Sequence, residues 1–156
     1  MSADRVRLRV SVPDQRVELY LGNEVAWWAQ VSTSRFGVGT EAGSFKTPLG
    51  CHRIAEKIGD EAPLGTRFVS RLPTAELWTP DSPPVEEDWV LTRILWLAGT
   101  TPENANSQSR YIYFHGTNRE DRIGTPASHG CIRLRNAEMV ALFDQVEMGT
   151  PVEIAV

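Results

Sequence analysis

The chain has 156 residues, 41% of them hydrophobic, with 20 acidic against 16 basic residues and a formal charge of −4. That length suits one domain able to bury roughly two-thirds of its unfolded surface. The acidic balance, with no Arg/Lys-rich stripe, argues against nucleic acid as a partner, and no run of eighteen apolar residues exists to cross a membrane.

The opening "MSADRVRLRVSVP" has neither an apolar core segment nor a small-residue cleavage site. A chain that starts at Met1 is therefore expected in the cytoplasm, and in the periplasm only if the native start lies upstream. Within it "RVRLRVSV" alternates strictly: Val6, Leu8, Val10 and Val12 share one face, with Arg5, Arg7, Arg9 and Ser11 on the other. That is the period of a half-buried strand. "PDQR" turns the chain, "VELYL" makes a second strand, "GN" turns again and "EVAWWAQVS" makes a third. "RFGVGTEAGSFKTPLG" is loop, and "CHRIAEKI" leans towards strand. From about residue 59 to 110 regular patterns are few. "TPDSPPVEEDW" carries three prolines, "WVLTRILWLAG" fits strand or short helix equally, and "TTPENANSQSR" is polar. This stretch reads as an irregular cover over a site, anchored by Trp78, Trp89 and Trp96. "RYIYFHG" is a strand, "NREDRIGTPAS" a loop and "HGCIRLR" alternates again. A helix follows, N-capped by Asn136, with Met139, Leu142, Phe143 and Val146 on its apolar face and Gly149 at its end. "PVEIAV" closes the chain as a strand. The sum is one mostly β domain over residues 1–156 with one or two helices.

Two cysteines, Cys51 and Cys131, form no disulfide framework and are expected as free thiols. Cys131 stands in "ASHGCIRLRN", two residues after His129. An unassisted thiol has a pKa of about 8.5, so a nucleophilic cysteine needs a base within reach, and that base needs a group to fix its tautomer. In an extended strand His129 and Cys131 would point the same way with Cα atoms about 6.5 Å apart, close enough to share a site. His115 ends its own strand, which a neighbouring pairing can carry across to Cys131. The carbonyl of Gly116 is placed to accept from the far ring nitrogen. Gly130 has no Cβ, so a substrate carbonyl can approach, and the amides around Gly130 and Cys131 can cradle an oxyanion.

"RYIYFHGT", a polar loop, "SHGCIRLRN", a helix and "GTPVEI" together resemble the L,D-transpeptidase catalytic domain of the YkuD-like family. The signature is an upstream His, then Ser/Thr-His-Gly-Cys, a hydrophobic residue and Asn or Arg, met here by His115, Ser128, His129, Gly130, Cys131, Ile132 and Arg133. "VSVPDQRVELYLGNE" and "SFKTPLGCHRI" resemble the family's opening strands and its "TP-x-G" segment. The resemblance implies a β-sandwich-like fold and a cysteine acyl-enzyme without cofactor. It makes Cys131 the nucleophile and His115 the general base, oriented by the Gly116 carbonyl, with His129 and Ser128 supporting the site. Arg133 takes a slot that holds Asn in many relatives, where a guanidinium fork suits a substrate carboxylate. The implied substrates are peptidoglycan stem peptides or soluble muropeptides, cut between an L-centred diamino acid and D-Ala, and a carbapenem is expected to acylate Cys131. Without an export signal, hydrolysis as an L,D-carboxypeptidase is the favoured outcome and transpeptidation the runner-up.

Other readings stand beside this one. A metal site drawn from His115, His129 and Cys131 with Cys51 or His52 lacks any C-x-x-C or H-E-x-x-H spacing. A binding module that has lost catalysis would need no intact Cys131 and His115. Cys51 reads as inert, His52 as an ordinary strand or surface histidine, and "REDR" as a solvated loop. Arg110 serves equally as a salt-bridge residue or a substrate contact.

Overall fold

A computed structural model describes residues 5–156; residues 1–4, the head of the segment read above for an export signal, lie outside the described residues. The opening alternation builds an antiparallel meander of β1 (Val6–Ser11), β2 (Arg16–Leu21) and β3 (Glu24–Gln30). Leu8, Val10, Val17, Leu19 and Ala29 from these strands all face the core. The last strand, β10 (Pro151–Ala155), lies parallel to β1 and antiparallel to β4 (Gly50–Ile58), so the two ends of the chain meet mid-sheet.

The irregular cover expected over 59–110 is corrected by the structure. It contains β5 (Thr66–Val69), β6 (Leu72–Leu77), β7 (Val90–Gly99) and a short 3-10 turn at Pro102–Asn104, joined by loops. The ten-residue β7 is the hub: it pairs with β4 on one side and β5 on the other, and β8 (Tyr113–Gly116) branches from it. Leu91, Thr92, Ile94, Leu95 and Leu97 are completely buried. A strand covered on both faces has no polar side to alternate with, so its periodicity does not separate strand from helix.

From β8 the parallel strand β9 (Ile132–Leu134) carries the sheet back towards the segment after β3, which it meets at a Ser32–Arg133 bridge. The result is a mostly β, sandwich-like domain with one helix, α1 (Asn136–Gln145), packed on β7 and β8. A single core joins Val31, Ile54, Phe114, Ile132, Leu134, Met139, Leu142 and Phe143 with the meander. The helix differs from expectation at its start. Arg135 is the N-cap residue and Asn136 is already helical, because the Glu120 carboxylate, not an Asn side chain, takes the first amide at 2.8 Å. Among the described residues no helix is long and apolar enough to cross a membrane.

Candidate active site

The site is a product of the β8–β9 pairing. Its parallel register sets Phe114 opposite Ile132, His115 opposite Arg133 and Gly116 opposite Leu134. Since alternate residues of a strand face opposite ways, Phe114, Ile132 and Leu134 enter the main core, leaving Tyr113, His115, Cys131 and Arg133 for the other face. His115 pairs with Arg133, two residues beyond Cys131, so the register brings His115 and Cys131 to the same side of this pairing. Only part of each expected strand is regular. Tyr111 takes φ +60° in a turn and residues 129–131 form a bend, so His129 and Cys131 do not lie along one extended strand.

Cys131 packs on a small cluster with Phe68, Ile94, Trp96 and Tyr113. Its thiol donates to the Tyr111 carbonyl at 3.2 Å and accepts from the Tyr113 N–H at 3.4 Å. Burial pushes the thiol up to about 12; Asp88 acts in the same direction, and the Tyr113 amide, Arg133 and Arg110 oppose it. The resting group is a thiol, so a thiolate must be made by proton transfer. His115 is the buried imidazole on the same face, and its Nδ1 donates to the Gly116 carbonyl at 2.6 Å. That bond leaves Nε2 with its lone pair. Burial holds the imidazole below its usual range, with Arg133 adding to the effect and Asp88 and the Gly116 carbonyl pulling against it. At rest the thiol is protonated and the imidazole neutral.

His129 is exposed and differently employed. Arg35 Nη2 sits 3.3 Å from its Nε2, and an arginine can only donate, so Nε2 accepts. The ring is the third member of an aromatic triangle with Phe36 and Phe45, all centroids about 6 Å apart. Ser128 donates to the Cys131 carbonyl at 2.6 Å and receives the Gly130 amide at 3.3 Å. Gly130 is required by conformation rather than by space. Its φ is +126°, while an added Cβ would meet nothing nearer than 3.5 Å. Its carbonyl accepts from buried Thr47 Oγ1 at 3.0 Å. Because C=O and N–H of a trans peptide point opposite ways, this anchor turns the Cys131 amide away from Thr47.

The structure gives Arg133 a task other than the one expected. Its side chain is only 3% exposed, with Nη1 3.1 Å from Asp88 and Nη2 3.1 Å from Ser32. A buried fork already spent on Asp88 and Ser32 is not free to grip a substrate carboxylate. Asp88→Asn should cost about 3 kcal/mol of stability in urea unfolding, because it strands a buried guanidinium; an unchanged midpoint would deny the pair that importance. Arg110, by contrast, lines the cleft in front of Cys131 together with Phe45, Tyr111, Ile112 and His129, a space of about 390 Å³. It is held there by the Lys46 carbonyl at 2.7 Å.

His52 lies in β4 but is buried, bonded to the Gly50 carbonyl at 3.0 Å and Ser107 Oγ at 2.9 Å, while Cys51 is exposed. Among the described residues no group of three or more His, Cys, Asp or Glu side chains is gathered that could hold a metal ion. Sequence reasoning missed Asp88, Thr47 and Tyr111. Thr47 stood in the quoted "TP-x-G" segment, and Asp88 in "SPPVEEDW" carried no signal at all.

Against known families, residues 5–154 match the YkuD model, described as the L,D-transpeptidase catalytic domain. A putative L,D-transpeptidase of Bacillus subtilis (strain 168), YqjB, is 46% identical over 48 residues, 31% of this chain and 27% of that one. A solved L,D-transpeptidase from Xylanimonas cellulosilytica is 19% identical, with a TM-score of 0.61 over 98% of this chain and 61% of its own. The L,D-transpeptidase LdtMt1, solved in complex with imipenem, is 21% identical, with a TM-score of 0.59 over 97% of this chain and 59% of its own. Likeness at these identities concerns the fold. The match spans about a quarter of the curated relative and about three-fifths of each solved chain.

Proposed function

Since the chain belongs to the YkuD family of L,D-transpeptidase catalytic domains, we propose that it cleaves peptidoglycan stem peptides between an L-centred diamino acid and D-Ala through a thioester on Cys131. The observation that carries this reading is the β8–β9 register, which sets a neutral imidazole with a free Nε2 on the same face as a protonated thiol. His115 Nε2 takes the thiol proton as sulfur bonds to the scissile carbonyl carbon. The C–N bond then breaks, and the imidazolium returns the proton to the departing D-Ala amine. In the second half His115 deprotonates the acceptor as it bonds to the acyl carbon, the C–S bond breaks, and the imidazolium returns that proton to the departing sulfur. In this reading Arg110, which lines the cleft and is bonded there to backbone carbonyls, would meet a stem-peptide carboxylate, whereas Arg133 is paired with the Asp88 carboxylate.

With water as acceptor the product is a tripeptide, the L,D-carboxypeptidase outcome. A second reading, transfer to an amine, is favoured by a charged cavity of about 350 Å³ on the other side of His129. Arg35 and Glu86 are among the residues that line it, so both signs are on offer to a zwitterionic acceptor. A tetrapeptide muropeptide offered with and without a D-amino acid separates the two by product mass. Tripeptide in both cases means hydrolysis, and an exchanged tetrapeptide means transfer. No turnover and no imipenem adduct on Cys131 would sink the whole proposal.

A further inference from the structure

We propose that Thr92 and Asn136 are positioning residues for His115, clamping the backbone whose carbonyl holds the Nδ1 proton. The inference rests on reading His115 as the base. The β7–β8 ladder pairs Leu91 with Gly116 and then skips to Ile94 with His115, so Thr92 and Arg93 bulge out opposite the His115–Gly116 step. Thr92 is completely buried and takes φ +76°, a left-handed conformation unusual for a β-branched residue. Backbone held in such a state persists only where its surroundings over-determine it, and such positions gather at functional sites.

The surroundings here are specific. The Thr92 hydroxyl donates to Asn136 Oδ1 at 2.6 Å and accepts from the Gly65 amide at 3.1 Å. Asn136 Nδ2 donates to the Thr117 carbonyl and to Glu120 Oε2, both at 2.9 Å. Asn136 Oδ1 also lies against the Cα of Gly116, where any added Cβ would collide with it and with the Leu91 carbonyl oxygen at 2.9 Å. One amide side chain therefore presses on Gly116 and anchors the carbonyl of the next residue. The Gly116 carbonyl, fixed between these points, receives His115 Nδ1 at 2.6 Å. The helix gains little from this side chain, because Glu120 satisfies its first amide. The charged groups that act on the imidazole are Asp88 from the segment before β7 and Arg133 from β9.

The test compares Thr92→Val, Thr92→Ser and Asn136→Ala with wild type, each checked for folding by circular dichroism. Two rates are followed from pH 5 to 9 by peptide mass mapping, which separates Cys131 from Cys51: acylation by imipenem, and alkylation by iodoacetamide, which needs no substrate pocket. Thr92→Val and Asn136→Ala should slow acylation about ten- to a hundredfold at unchanged half-saturating imipenem. Alkylation of Cys131 in both should shift to higher pH, while Thr92→Ser stays near wild type. Folded Thr92→Val with wild-type rates and midpoints, or Thr92→Ser failing as badly as Thr92→Val, overturns the proposal. If neither damaging variant folds, histidine ¹⁵N spectra of wild type and Thr92→Ser decide. A proton on His115 Nδ1 in both supports the clamp, and one on Nε2 overturns it. Wild type that alkylates normally but takes no imipenem sinks the substrate reading and leaves this inference standing.

Discussion

Cys131→Ala is expected to abolish imipenem adduct formation and muropeptide cleavage together, with the fold intact. The thiol is partly buried and its two hydrogen bonds, to Tyr111 and Tyr113, are both to backbone. Removing one sulfur atom therefore disturbs packing little. Cys131→Ser is the sharper variant, since a hydroxyl can take the same two partners. A serine has far too high a pKa for a lone imidazole to ionise it as readily as a thiol, so it too should fall below detection. Peptide mass mapping and chromatographic assay of D-Ala release check both. Turnover by either variant would remove the thioester from the mechanism.

His115→Gln is expected to lower kcat/KM about 10²- to 10⁴-fold, the usual worth of general acid–base assistance. The same substitution at His129 should have a much smaller effect, because that ring is exposed and its Nε2 already faces Arg35. The pH profile carries the sign. Burial lowers the pKa of His115, so the imidazole keeps its lone pair below the ordinary histidine range, and activity should fall only when pH drops through that lowered value. Stability should follow the same direction. His115 and His52 are both buried with lowered pKa values, so in the acid range the unfolded chain binds more protons than the folded one. Their contribution is fully present above about pH 6.5 and is lost as pH falls through the folded values, at up to about 1.4 kcal/mol per pH unit for each group. Urea unfolding at stepped pH checks this, and a midpoint flat from pH 7 to 5 would contradict it.

Some of this molecule lay open in the residues. The meander, the helix and the closing strand announced themselves because each has one wet face, and a wet face imposes a period. β7 did not, since covering both of its sides erased that period. Cys131 and His115 could be singled out as candidates because cysteine and histidine are rare residue types, here set in a short motif. Arg133 has chemistry suited to a carboxylate, but pairing opposite His115 turned it onto Asp88, 45 residues earlier in the chain.

The order of residues along the chain thus determined which groups are chemically fit for a nucleophile and its base and which stretches hide one face from water, for these are local properties of side chains and their spacing. Folding decided the rest. The thiol's protonated state, the free Nε2 of His115, the tasks of Thr47, Asp88 and Asn136 and the strained turn at Thr92 depend on burial and on contacts across strand pairings. No local pattern encodes them, because each arises only when segments far apart in the chain exclude water from the same place.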